Sequence, residues 1–159
     1  MLFRSTKCVR SPRPPVYAAS GADLGKDIIA QFCDAWFVSN ESGYGAYDEN
    51  LKTIESDIAD MRRRASAFGR KLGFGLSAHV VCAPTVEEAN ARVAAIESLP
   101  DANVPIKALG AGLVGTPAIV AERIRRWEAM GIDLLMLQFN PMREGLETFA
   151  REIMPRLRP

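Results

Sequence analysis

Residues 113–139 place the tightest constraint on what this chain can fold into. Leu113-Val114-Gly115-Thr116-Pro117 reads as the opening of a helix. Gly115 allows a tight entry, Thr116 carries the hydroxyl of a good N-cap, and Pro117 takes the first helical position, where a missing N–H costs nothing. Val120, Ile124 and Trp127 follow with charge on the opposite side, so this helix buries one face. Gly131 stops it. The apolar run from Ile132, continued as a strand over 134–139, predicts a strand buried on both faces. A helix leading at once into such a strand is an αβ unit of a parallel sheet.

The rest of the chain repeats the arrangement. Residues 16–19 form a short apolar strand that turns through Ser20-Gly21 into a helix ending near Phe32, and 35–39 form a second strand. A loop over 41–47 precedes the clearest helix, in which Leu51, Ile54, Ile58, Met61, Ala65 and Phe68 recur at helical spacing, with Gly69 as its C-terminal stop. Residues 74–82 make a third strand. Thr85 and Glu88 form a capping box for a helix to about Glu97. Residues 100–112 read as an irregular loop, and a final helix runs from about Arg143 to Met154.

Four parallel strands alternating with helices imply an α/β protein with right-handed crossovers. The pattern fits a small doubly wound sheet or half of a (β/α)₈ barrel, a whole barrel typically needing about 250 residues. Residues 1–13 have no periodicity and are expected to be disordered or non-native, leaving 14–159 as the folded unit.

Composition narrows the function. Twenty basic and 19 acidic residues give a net charge of +1, so nothing electrostatic calls for nucleic acid or an anionic membrane. Arg62-Arg63-Arg64 and Arg123-Ile124-Arg125-Arg126 sit on helices among acidic neighbours and read as solvated faces. Cys8, Cys33 and Cys82 have no metal-ligand spacing, so no metal site is expected. Cys33 and Cys82 fall in apolar surroundings and read as core. Without a signal peptide the expected compartment is the cytoplasm. No apolar run approaches the ~20 residues that span a bilayer.

Strand parity picks out the candidate site. On strand 74–82 the bulky set Phe74, Leu76, Ala78, Val80 and Cys82 is expected under the helices, which turns Gly75, Ser77, His79 and Val81 to the other face. On the last strand Gln138 and Asn140 share a face with Leu134 and Met136, so polarity appears only at the carboxyl end, where barrel sites lie. If the strands are neighbours, Ser77, His79, Gln138 and Asn140 converge on one pocket. His79 reads equally as a core histidine, and Asn140-Pro141 as a plain turn. The Ser20-Gly21 turn at a helix start suits a phosphate, as many turns that bind nothing also do. Tyr44 and Tyr47 read as covering a flat ligand or as part of a surface loop. No dinucleotide fingerprint, Walker loop, nucleophile elbow or HExxH motif is present.

Pro-Pro-Val-Tyr-Ala-Ala-Ser-Gly, Phe-Gly-Leu-Ser-Ala-His-Val-Val, Thr-Val-Glu-Glu-Ala and the Leu113–Pro117 block occur in an order and spacing that resemble the C-terminal half of the bacterial-luciferase-like flavin monooxygenases, most of all their alkanesulfonate and dimethylsulfone group. The resemblance runs from about Pro14 to Pro159. It implies the C-terminal half of a (β/α)₈ TIM barrel that uses reduced FMN (FMNH₂), supplied by a separate NAD(P)H-dependent flavin reductase. It implies O₂ activation as a flavin C4a-peroxide and oxygenation of a small substrate, organosulfur compounds being the class it suggests, by a full-length protein expected to be a homo-oligomer. The cofactor would carry the chemistry and the barrel a dry, shaped pocket.

By this likeness Ser20 and Gly21 fall where the family holds the FMN phosphate, and His79 matches an active-site histidine able to hydrogen-bond the peroxyflavin or act as an acid. Ser77, Gln138 and Asn140 would line the substrate pocket. Ser77 stands where the sulfonate enzymes carry arginine and Asn140 where they carry tyrosine, which favours a neutral substrate. The stretch between the Glu88 helix and Leu113 is short, so the family's mobile lid is expected to be reduced. The half-length chain alone is expected to be inactive. The alternatives are a short non-catalytic flavin-binding protein and a deazaflavin-dependent oxidoreductase of the same fold.

Overall fold

The computed structural model describes residues 13–39, 47–100 and 103–157. Its five strands are β1 (Tyr17–Ala18), β2 (Ala35–Val38), β3 (Gly73–Cys82), β4 (Val114–Gly115) and β5 (Leu134–Phe139). The helices are α1 (Asp23–Phe32), α2 (Tyr47–Ala67), α3 (Val86–Glu97), α4 (Asn103–Leu109), α5 (Pro117–Met130), α6 (Met142–Thr148) and α7 (Met154–Leu157), with a π-helical turn, Phe149–Ile153, joining the last two. All strand pairs are parallel, and β1, β2, β3 and β5 lie side by side in that order, half the wall of a (β/α)₈ barrel.

β3 is the long central strand. Its Gly73 N–H bonds to Asp34 on the β2 side, and Val81 N–H, of the same parity, bonds to Leu113. β4 therefore takes up the edge of β3 that β2 vacates after pairing Val38 with Leu76. The sequence reading has four strands; this fifth is two residues long and depends on that vacancy. The stretch read as an irregular loop also holds α4, whose Leu109 is buried with Val81, Ala89, Val93, Ile96 and Val114 in a small second core over the carboxyl end of β3.

The main core lies on the other face. Phe74, Leu76, Ala78 and Val80 pack with Trp36 and Val38 beneath Ile54, Ile58 and Met61 of α2 and Val120, Ile124 and Trp127 of α5. Thr116 and Thr85 accept from the backbone N–H of Ile119 (3.5 Å) and Glu88 (3.2 Å), so both predicted caps form. Gly131 adopts φ +98° at the end of α5. There the left-handed backbone suits glycine because it has no Cβ. Trp127 is fully buried and donates its Nε1–H to Ala111 O at 3.0 Å. Among the described residues no helix is long and apolar enough to cross a membrane.

Three expectations need correction. β5 is buried on one face only: Leu135, Leu137 and Phe139 pack on the core, but Leu134 and Met136 are exposed, because β5 is an edge strand whose inner face meets no covering layer. Tyr47 is not a ligand cover. It starts α2, buried edge-on against Trp127 (ring centroids 5.8 Å apart) with the Arg123 guanidinium 4.2 Å above its ring. Phe68 lies past the end of α2 and is exposed. The expected N-terminal segment through residue 12, Cys8 and Tyr44 lie outside the described residues.

Truncating Trp127 to alanine removes a fully buried ring and leaves Ala111 O without its donor. It should cost about 3–5 kcal/mol of stability, whereas Phe68→Ala should stay within about 0.5 kcal/mol. Urea unfolding followed by circular dichroism compares the two.

Candidate active site

The parity of β3 turns Gly75, Ser77 and His79 away from the main core and toward the concave side of the sheet. β5 runs beside it in register, with Ser77 opposite Met136 and His79 opposite Gln138. Gln138 Nε2 donates to Ser77 Oγ at 3.2 Å. That bond fixes the amide of Gln138 and leaves His79 as the remaining polar group on this level.

His79 is 2% exposed, and neither Nδ1 nor Nε2 has a hydrogen-bond partner. Burial disfavours the charged imidazolium and pushes its pKa below the ordinary value of 6.5. The ring is therefore neutral at pH 7, with one N–H to give and one lone pair to receive. A core histidine in a settled structure normally has a partner for at least one nitrogen. Neither nitrogen of His79 is bonded to protein, so both are available to a water or a ligand.

His79, Gln138 and Asn140 line one groove of about 510 Å³, together with Phe139, Met142 and Leu146. Three of the four predicted pocket residues therefore meet there, and Ser77 joins them through Gln138. None of the side chains lining the groove is charged. A second groove of about 420 Å³ shares Asn140 and is lined by Arg92 and Glu144, 3.5 Å apart. Arg92 also donates to Cys82 O at 3.3 Å. Arg92 escaped the sequence reading because, on α3, it looks like any solvated charge, and only tertiary packing lays it across the end of β3. The Cys82 thiol beneath is half-buried, and burial raises its pKa.

Toward the amino ends of the strands the concave face becomes apolar. Phe37 and Tyr17 pack at 5.7 Å between ring centroids. Gly75 makes room for Phe37: a Cβ there would come within 2.8 Å of its ring.

Ser20 and Gly21 stand apart from this groove, past the end of β1. Ser20 O accepts from Trp36 Nε1 at 3.1 Å, and Ser20 Oγ accepts from Ala22 N–H at 3.2 Å. The serine folds back over the first turn of α1 because residue 25 is glycine; a Cβ there would lie 2.1 Å from Ser20 Oγ. The N-cap of α1, Ala22, offers no side-chain cap, unlike those of the two threonine-capped helices. Its first N–H groups are consequently left for another acceptor. The structure brings both sets of predicted residues to the carboxyl ends of the strands, but as two separate places.

Known proteins share this fold and align with most of this sequence. The FMNH(2)-dependent dimethylsulfone monooxygenase of Pseudomonas putida is 26% identical over an alignment of 184 residues, which takes in 96% of this chain and 48% of that protein. Its namesake in Pseudomonas fluorescens (strain Pf0-1) is 25% identical over 92% of this chain and 47% of its own length. The chain thus spans about half the length of the curated relatives it matches. The longer alignment means that the first relative carries extra residues within the shared region. A monooxygenase of Streptomyces bottropensis shares the fold with a TM-score of 0.67 at 17% identity, over 94% of this chain and 50% of that one. The family model described as luciferase-like monooxygenase matches residues 2–111, more than half of the sequence, and the chain belongs to that family.

Proposed function

We propose that this chain is the C-terminal half of an FMNH₂-dependent monooxygenase acting on a small, neutral substrate such as a sulfone. The observation that carries the reading is His79, buried, neutral and unpartnered at the carboxyl ends of two paired strands, beside a groove without charge. A neutral imidazole so placed serves as a hydrogen-bond donor or acceptor to a reacting oxygen. The named activity of the Pseudomonas relatives supports the same reaction class.

The residues present fit a flavin. The glycine cradle under Ser20, with the uncapped start of α1, suits the phosphate, and the two free nitrogens of His79 would offer hydrogen bonds to a reacting oxygen rather than hold the cofactor. Ser20 and Gly21 would hold that phosphate. Reduced FMN, when bound, supplies the electrons for O₂ activation, and a separate NAD(P)H-dependent reductase would supply it. Gln138, held by Ser77, and Asn140 would orient the substrate. Met142, Leu146 and Phe139 would keep water from His79. The neutral lining disfavours an anionic sulfonate, which needs a paired cation once desolvated.

The test is turnover of the full-length enzyme, supplied with a flavin reductase, on a dialkyl sulfone against an alkanesulfonate of similar size. Preference for the sulfone supports the proposal, and preference for the sulfonate defeats it. His79→Ala should lower kcat by about 10²-fold or more, with FMN affinity nearly unchanged.

Replacing Ser20 by alanine should weaken FMN about tenfold, the scale of one hydrogen bond to a charged group. Riboflavin, which has no phosphate, should bind both proteins alike. Fluorescence titration with the two flavins separates a phosphate contact from a general loss of fold.

A pH dependence follows from the lowered pKa of His79. The unfolded chain takes up a proton near pH 6.5 while the buried ring resists it. The contribution is therefore fully present above pH 6.5, falls as the solution is acidified toward the folded value, and levels off below it. The urea midpoint should drop more between pH 7 and pH 5 in the wild type than in His79→Gln.

A further inference from the structure

On the side of α6 the His79 groove is walled by Met142 and Leu146, one helical turn apart on a single face of that helix. Glu144 lies midway between them in sequence. At about 100° per residue it projects from the opposite side of the helix, away from the groove. There its carboxylate meets Arg92 of α3, 3.5 Å from Nη1. Gly145 seats α6 on β5: a Cβ there would come within 2.8 Å of the Phe139 side chain. That seat is bare backbone. It sets how closely the helix approaches the strand but offers no side chain to stop it rolling. Among the described residues, the pair with Arg92 is the one polar side-chain contact that α6 makes with another element, since Arg143 binds Glu147 within the same helix.

Arg92 is the fixed end of this tie. Ala89, Val93 and Ile96 hold α3 in the small core over the end of β3, and the same Nη1 donates to Cys82 O, three residues beyond His79, at 3.3 Å. We infer that Arg92 is a positioning residue for the candidate site: by holding Glu144 against the end of β3 it sets the roll of α6 and keeps Met142 and Leu146 turned to the groove. This role rests on the reading of that groove as the substrate pocket. Arg92 does not line the groove itself. It therefore governs how well a substrate is held and leaves the chemistry at His79 alone. Both partners of the pair meet solvent, so the tie is worth a severalfold effect and not more.

Two measurements on the full-length enzyme test this role. Without flavin or substrate, hydrogen exchange of the α6 amides reads the helix directly. Arg92→Ala should speed that exchange about two- to fivefold, the range an exposed ion pair supports, with the amides of β3 unchanged. Glu144→Ala should do the same, and the double variant no more than either alone. Arg92→Lys, which keeps the charge, should restore most of the protection. In turnover of a dialkyl sulfone, KM should rise by a similar factor in Arg92→Ala with kcat nearly unchanged, the reverse of His79→Ala. Unchanged exchange in α6, or single effects that add in the double variant, would overturn the tie. Faster exchange with an unchanged KM, or a loss in kcat instead, would overturn its role at the groove. An enzyme that turns over no sulfone defeats the proposed activity, and the exchange comparison still decides whether Arg92 sets α6.

Discussion

The pairing of β3 along both of its edges is the constraint on which the rest depends. β2 and β4 share one edge and β5 takes the other, so the backbone of β3 is satisfied through most of its length and its side-chain parity is locked. A slip of one residue would exchange the two faces, sending Leu76 and Ala78 to the concave side and Ser77 and His79 beneath α2 and α5. Every apolar side chain on the helix face resists that exchange. The position of His79 is thus enforced by the hydrophobic core on the opposite face rather than by any bond of its own.

That arrangement explains how a polar group can be left without a partner. Burying an unbonded imidazole is unfavourable, and a freely chosen rotamer or register would relieve it. Neither is free here, since β5 fixes the register and the small core of Val81, Val93, Ile96, Leu109 and Val114 closes over the end of the strand two residues beyond His79. The stability of the two cores sustains an unpaired buried polar group, the kind of exception that calls for an explanation such as a ligand or a water.

Much of this was legible in the sequence, wherever short-range chemistry dictates the outcome. The threonine caps, the glycine stops and the alternation of β3 follow from rules that span only a few residues, and they placed Ser77, His79, Gln138 and Asn140 correctly relative to one another. The failures share a different cause. β4 exists only because β2 ends early, and α4 is a seven-residue helix containing Pro105 that no local signal announces. Arg92 gains its place by crossing to another element, and Tyr47 is buried by helix α5, eighty residues along the chain. The exposed face of β5 was invisible for another reason: its sequence is that of a strand buried on both sides, which is what a strand in a closed barrel needs.

That mismatch separates two tasks that a whole barrel performs at once. The convex side of the sheet, where Trp36, Phe74, Ile58 and Trp127 meet, is a complete core and needs no further strand to exclude water. The concave side is not complete, since Leu134 and Met136 carry apolar surface with no layer opposite. Helix packing can therefore fold this unit and set the register of His79, while closure of the barrel decides whether the groove beside it is dry. Charge on a buried ligand is tolerated only where such a groove is closed and supplies a counter-ion. The groove described here has no charged side chain in its lining and is open at its edge, so closure would add shape and dryness, and a counter-ion would have to come from the closing element. These residues thus give the groove a neutral wall, and its dryness depends on what closes it.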